Sequence, residues 1–403
     1  TGETASTAPD QVHEAVLGLP DGGALYYGNS PLEVQRFTAA GVLDVAFGMG
    51  GKTQAPDPNL KLKSAGVMAV GSDGTIYAAA QATAVEGAIV CKFNAQGLPV
   101  VFADTQTSCT AVADFVNPFD PTAMTVDASG GLLVLSLNGS LVRFRPGGAV
   151  DVNFAPPTGQ FALPPLIVGQ GTRPADLTFD ASGAIYVVGT SDSPVIWHAY
   201  ATKLRVDANT GLASLDPNFH GGTPLEVACN GNIVVPGCSL ASVDIAPGGS
   251  LVITGSYNSE ARVIRLNAIT GQATLPPSAL PLPPDASGVA VRDAVLQQNG
   301  KLLVVGTTFH NQAPGSRIWL TRAQLSCDDV KIDANTFGPP FGFSSFILVL
   351  SGSADGQDVA IGKGRVLVAG HDLETDDSVS VVALTDSEAF LDGIFADGFE
   401  TCN

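Results

Sequence analysis

Apolar positions recur along this chain in short runs of period two, closed at each end by glycine, aspartate, asparagine or serine. That is the pattern of half-buried strands joined by tight turns. No stretch holds the i, i+3, i+4, i+7 spacing of an amphipathic helix, so helix is a minor component. One run repeats: a turn glycine, a short apolar strand and a small closing residue. Its copies are GGALYYG at Gly22, GTIYAAA at Gly74, GGLLVLS at Gly130, GAIYVVG at Gly183, GSLVITG at Gly249, GKLLVVG at Gly300 and GRVLVAG at Gly364. Before each lies another apolar segment, EAVLGL, VMAVGS, AMTVDA, DLTFDA, SVDIAP, DAVLQQ and DVAIGK. Each pair predicts a β-hairpin whose turn residues accept the positive φ such turns need.

A third strand with a basic-apolar signature follows each hairpin: VQRF (Arg36), VCKF (Lys92), LVRF (Arg143), ATKL (Lys203), VIRL (Arg265), a weakened LTRA (Arg322), and VVAL, which has lost the charge. A second polar turn leads to LDVAFGMGGK (Leu43 to Lys52) and its echoes VDVNFAPPTG, LDPNFHGGT and LDGIF, expected to be the outermost strand plus the crossover to the next unit. Four antiparallel strands repeated around a ring make a β-propeller, which leaves only short protected edges. The expected fold is all-β, a seven-bladed β-propeller of four-stranded antiparallel blades. It spans residues 12–395, between an N-terminal extension (1–11) and a C-terminal tail (396–403). The small residue closing strand two (Gly28, Ala80, Ser136, Gly189, Gly255, Gly306 or Gly370) is expected where the backbone crowds or bends. A linear array of four-stranded sandwiches is the rival architecture. The ring is expected to close without strand exchange, each terminal unit using its own strands.

Of 403 residues, 46 are Gly and 27 Pro, which suits many short strands and turns. The formal net charge of -19 argues against a phosphate backbone or an anionic membrane surface as partner. No apolar run is long enough to span a bilayer, so no membrane insertion is expected. The polar start at Thr1, without a basic or apolar leader, reads as a mature exported product. Six cysteines fit that compartment, and fifteen pairings are open. Cys229 and Cys238 bracket a Gly- and Pro-containing loop and are expected to pair; Cys327 with Cys402 would then tether the tail, leaving Cys91 with Cys109. Buried thiols in a reducing compartment are the alternative.

The repeated elements, clearest in RFTAAGVLDVAFGMGGK (Arg36 to Lys52) and QQNGKLLVVG (Gln297 to Gly306), resemble the bacterial delta-60 repeat family. The resemblance covers the chain from about Val12 to Phe395, with degenerate sixth and seventh copies. It implies a propeller in secreted or surface bacterial proteins and brings no catalytic residues with it. The tail IFADGFE (Ile394 to Glu400) is similar to a C-terminal motif of secreted proteins of some Gram-negative bacteria, which implies a secreted, periplasmic or cell-surface location.

In a propeller the loops joining strands two and three, and those joining strand four to the next strand one, share a face beside the channel. Trp197, His198, His310, His371 and His220 fall in such loops. His310, His371 and Asp372, with Trp197 and His198 across the ring, are the candidate ligand site: imidazole with carboxylate suits an acid/base pair or a divalent metal, and an aromatic plane suits a sugar. Asp372, Glu374 and Asp376 alternate as calcium ligands do, but lack the glycine and terminal glutamate of an EF-hand loop. No cofactor is fixed by these residues; a divalent metal such as calcium is the one they would suit. The simpler account is that loops collect polar residues by default. Nucleophile-elbow, metalloprotease and phosphate-loop motifs are lacking. The expected function is therefore a non-catalytic binding or scaffold protein taking a protein or glycan partner and no nucleic acid. The alternative is a hydrolase or lyase working through loop His and carboxylate residues. Trp319, opening a third strand, is expected in the core.

Overall fold

A computed structural model describes residues 13–28, 33–54, 66–82, 87–111, 121–167, 170–192, 198–229, 237–297, 299–311, 315–326, 329–333, 343–346, 354–363, 365–372 and 379–385. Sheet by sheet, consecutive strands pair antiparallel with their neighbours. The first sheet is β1 (His13–Gly18), β2 (Ala24–Gly28), β3 (Glu33–Phe37) and β4 (Lys52–Gln54). The second is β5 (Val67–Val70), β6 (Ile76–Ala82), β7 (Gly87–Phe93) and β8 (Cys109–Ala111). The third is β9 (Pro121–Val126), β10 (Leu132–Ser136), β11 (Ser140–Phe144) and β12 (Gln160–Ala162). The fourth holds β13 (Gly171–Phe179), β14 (Ile185–Asp192), β15 (Ala199–Val206) and β16 (Ala213–Leu215), with β17 (Leu225–Glu226) added on β15. The fifth is β18 (Cys238–Ile245), β19 (Ser250–Tyr257), β20 (Glu260–Asn267) and β21 (Ala273–Ala279). The sixth is β22 (Ala286–Leu296), β23 (Lys301–His310), β24 (Ser316–Leu325) and β25 (Val330–Ile332), with β26 (Phe343–Phe346) added on β24.

These six sheets are complete blades. The expectation of seven four-stranded blades is corrected here: the last repeat, β27 (Ala354–Gly362), β28 (Arg365–Asp372) and β29 (Val379–Thr385), is a three-stranded sheet among the described residues. Its expected fourth strand, Phe390 to Phe395, lies outside them. The last repeat also departs from the others in its third strand, where Ala383 stands in place of the basic residue. In four complete blades that residue binds an outer carboxylate: Arg36 meets Asp44 at 3.4 Å, Arg143 meets Asp151 at 2.8 Å, Lys203 meets Asp216 at 3.0 Å and Arg322 meets Asp333 at 2.8 Å. The cation thus ties the outermost segment to the sheet. Blade two has no carboxylate there and is held by the Cys91–Cys109 disulfide, which joins directly opposed residues of β7 and β8. Keeping Cys91 and Cys109 reduced is expected to cost about 2–3 kcal/mol of stability, as a native crosslink closing a loop of this length does; melting curves of the C91A/C109A variant against the oxidised protein measure it.

The stretch Leu43–Lys52 is not itself the fourth strand. Leu43 makes an isolated bridge to Phe37, and the chain then turns through Phe47 N–H to the Asp44 carbonyl and Gly51 N–H to the Phe47 carbonyl before β4 begins. This turn latches one blade to the next. Phe47 is fully buried beneath the following blade, where a Cβ on Gly97 would lie 2.6 Å from its ring, and Gly48 N–H donates to the Gln96 carbonyl at 2.7 Å. Phe102 against Gly148 and Phe219 against Gly271 repeat the arrangement. Between blades the core is aliphatic and aromatic, and Trp319 is fully buried in it, as expected.

Candidate functional site

The first strand of every sheet, β1, β5, β9, β13, β18, β22 and β27, lines one central channel of about 740 Å³. Six of these strands carry a β-bulge, between His13 and Ala15, Pro121 and Ala123, Pro174 and Asp176, Leu240 and Ser242, Val291 and Asp293, and Gly356 and Asp358. Opposite each bulge stands the small residue that closes strand two. A Cβ on Gly189, Gly255 or Gly306 would come within 2.2 to 2.3 Å of a backbone oxygen of the bulged strand, so only glycine fits there.

The bulge re-aims the next side chain toward the neighbouring sheet. An innermost strand is a sheet edge with free N–H groups, and these need partners when removed from water. Asp176 Oδ2 accepts Val243 N–H at 2.8 Å, Asp293 Oδ2 accepts Val359 N–H at 3.1 Å, and Asp358 Oδ2 accepts Val16 N–H. Two residues further along β18, Asp244 Oδ2 accepts Leu296 N–H at 2.8 Å. Ser242 stands where the other strands carry aspartate and donates to the Ala294 carbonyl at 3.0 Å. On β1, β5 and β9 the matching residues are Ala15, Val67 and Ala123, so one side of the channel is acidic and the other apolar.

Deep placement dominates the chemistry of these acids. Burial pushes Asp176 up to about 7, opposed by the Val243 N–H and reinforced by the charge of Asp244. Burial likewise pushes Asp244 up to about 6 against the Leu296 N–H. Asp293 is raised by burial, then by the charge and hydrogen bond of Asp358; Asp358 is raised by burial, while its bond from Asp293 pulls the other way. Two like charges this close disfavour each other, so the facing carboxyls of Asp293 and Asp358 hold on to a proton more strongly than an isolated carboxyl does. At one end of the channel Arg173 and Arg292 are exposed, and Arg292 meets Asp355 at 3.2 Å.

The loop histidines named from the sequence are separately engaged. His198 Nδ1 binds Glu226 of β17, and His198 is half-buried. His310 is two blades on; its side chain is almost fully buried, with Nδ1 3.3 Å from Asp285 Oδ2 and Nε2 3.1 Å from the Thr308 hydroxyl. His371 and Asp372 end β28, their backbones opposite Asp355 and Ala354. Trp197, Glu374, Asp376, Cys327 and Cys402, and the side chains of His371 and Asp372, lie outside the described residues. His220 is not on the channel-loop face: its N–H donates to the Thr270 carbonyl in the outer turn of the next blade, part of the Phe219 latch. The Cys229–Cys238 and Cys91–Cys109 pairings are both present. Two disulfides fit an oxidising compartment. Among the described residues no group of three or more His, Cys, Asp or Glu is placed to hold a metal ion, and no helix is long and apolar enough to cross a membrane.

The channel acids were not singled out from the sequence, although three open the quoted segments DLTFDA, DAVLQQ and DVAIGK. An aspartate where an apolar strand begins was the signal.

Fold and channel together define an all-β propeller. Among solved structures, a catalytically inactive variant of virginiamycin B lyase from Staphylococcus aureus matches with a TM-score of 0.58 at 11% identity, over 95% of this chain and 98% of that one. A streptogramin B lyase matches with a TM-score of 0.55 at 14% identity, over 95% and 97%. The WD40 propeller domain of Doa1 matches with a TM-score of 0.52 at 9% identity, over 96% and 98%. No family model matches the chain, and no curated protein matches it. At these identities the likeness is one of fold.

Proposed function

We propose that this is an exported, non-catalytic binding protein of the delta-60 repeat kind, receiving a protein or glycan partner at the channel end marked by Arg173 and Arg292. The observation carrying this reading is the channel itself. It is a cavity of about 740 Å³ with an apolar wall, an acidic wall and two exposed guanidinium groups at one end, the mixed lining that recognition sites share. Nearby histidines are spent on local partners and share none. Likeness in fold to a WD40 domain is compatible with protein binding.

The test is capture from the exported fraction of the source bacterium, together with a glycan array, comparing the unaltered protein with R173E/R292E and with R145E on an outer turn. A partner retained by R145E and lost at least tenfold by R173E/R292E supports the reading; equal capture by all three overturns it. One observation favours a second reading, a hydrolase or lyase: the neighbouring carboxyls of Asp293 and Asp358, both raised by burial, line the cavity, as an acid/base pair requires. Turnover of a captured glycan or ester, lost in D293N, would replace the first reading with the second.

A further inference from the structure

We propose that the seam joining the last sheet to β22 and β1 is a pH-gated clasp, built on the buried carboxyls of Asp293 and Asp358 and the strand N–H groups they accept. Among the described residues every sheet is built of consecutive strands, and the contacts they show across the seam run through side chains. One part is apolar packing of Val16, Ala24 and Tyr26 on Ala360, Leu367 and Ala369. The other is a relay across three strands: Asp293 of β22 receives Val359 N–H of β27, and Asp358 of β27 receives Val16 N–H of β1, 342 residues away in sequence. A proton shared by the two carboxyls joins the two halves of this relay. When it leaves, two neighbouring carboxylates are both charged, and the repulsion acts across β22 and β27.

The surrounding groups do not supply the missing positive charge. On β22, Arg292 is engaged by Asp355 of β27, which also accepts from Thr307 of β23 and Gln357. β13 contributes Asp176, whose charge raises Asp293 further, and the exposed Arg173; β18 contributes Asp244, occupied by Leu296 N–H. The described side chains of β1 that reach the channel, Ala15 to Leu17, are apolar, and on β28 Arg365 sits at the far end beside Tyr26. Because the folded state raises these carboxyls, it binds more protons than the unfolded chain. The resulting stability is complete below the ordinary carboxylate range and is lost as pH rises through the folded values.

Two measurements on the full chain test this: thermal melting from pH 5 to 8, and hydrogen exchange by mass spectrometry, corrected for intrinsic rates. The melting temperature is expected to fall by about 5 °C over that range. Protection of His13–Gly18 and Ala354–Gly362 is expected to fall at least tenfold more than that of Pro121–Val126. In D293N the asparagine carbonyl still accepts Val359 N–H and its NH2 donates to Asp358 at any pH, so the seam segments should stay protected; D176N, which leaves the pair intact, should keep the seam's pH response. A uniform loss of protection across all sheets overturns the proposal from the unaltered protein alone, even if a variant fails to fold. An unchanged seam response in D293N overturns it as well.

Discussion

Gly18→Ala is expected to destabilise the fold by about 4 kcal/mol, among the largest effects a single methyl group can have. Gly18 closes β1 against β27, and a Cβ there would stand 2.0 Å from the Ile361 carbonyl oxygen and 2.5 Å from its carbon. The obstacle is backbone held in its own sheet by pairing with Val366, so it cannot rotate aside as a side chain would. Relief requires the last sheet to back away from the first, which strips the packing of Val16 on Ala360 and Leu367. Gly183→Ala is the matched control. Gly183 has φ +82° with open space around it, so its substitution should cost only the roughly 1 kcal/mol of a left-handed backbone. Denaturant unfolding of both variants separates lack of space from backbone strain; equal losses would show that β1 does not seal against β27.

The hairpins and third strands were legible because their signals are local. A turn glycine, period-two alternation and a charged third-strand position place β2, β6, β10, β14, β19, β23 and β28 where the repeats stand. The outermost strands were not, and the reason is length. Lys52–Gln54, Cys109–Ala111 and Gln160–Ala162 have three residues each, too few to show a period, while the more conspicuous LDVAFG stretch is a turn defined by its hydrogen bonds and by the next blade's glycine. Counting repeats gave seven four-stranded units because the count registers hairpins, which the last repeat has. It does not register the third-strand cation, which in the last repeat is replaced by Ala383.

The site was less legible than the fold. Topology places His198 and His310 on loops of one face, but whether a histidine faces a ligand or a neighbour is decided by Glu226 and Asp285, 28 and 25 residues away. The channel acids depend on longer juxtapositions still. Asp176 meets Val243 across 67 residues and Asp293 meets Val359 across 66, distances at which one-dimensional patterning carries no information about pairing. Only the bulge, invisible in sequence, turns these carboxyls from the strand face toward the next sheet's edge.

Removing the third-strand cation of the third blade should be nearly as damaging as filling the seam. Arg143 Nη1 lies 2.8 Å from Asp151 and Nη2 2.8 Å from Asp127, while Nη2 also donates to the Ser129 hydroxyl. One guanidinium therefore fixes the inner hairpin turn and the outer segment together. Burial pushes Asp127 up, but the bonds from Ser129, Arg143 and Gly131 outweigh it and hold the carboxyl below its usual range. With Arg143→Ala, two partly buried carboxylates lose their counter-charge, and about 3 kcal/mol of stability should go with it at pH 7. Arg143→Lys should recover less than half, because an ammonium cannot fork to two acids and a hydroxyl. The sign with pH is opposite to that of the channel. A lowered carboxyl stabilises above the unfolded value and fails as pH falls through the folded one, so the Arg143→Ala penalty should shrink below about pH 4. Urea unfolding of the three proteins at pH 7 and pH 3.5 checks both statements. A penalty independent of pH would mean that Arg143 acts through its packed stem, and the basic signature of the repeat would then be a packing rule instead of an electrostatic one.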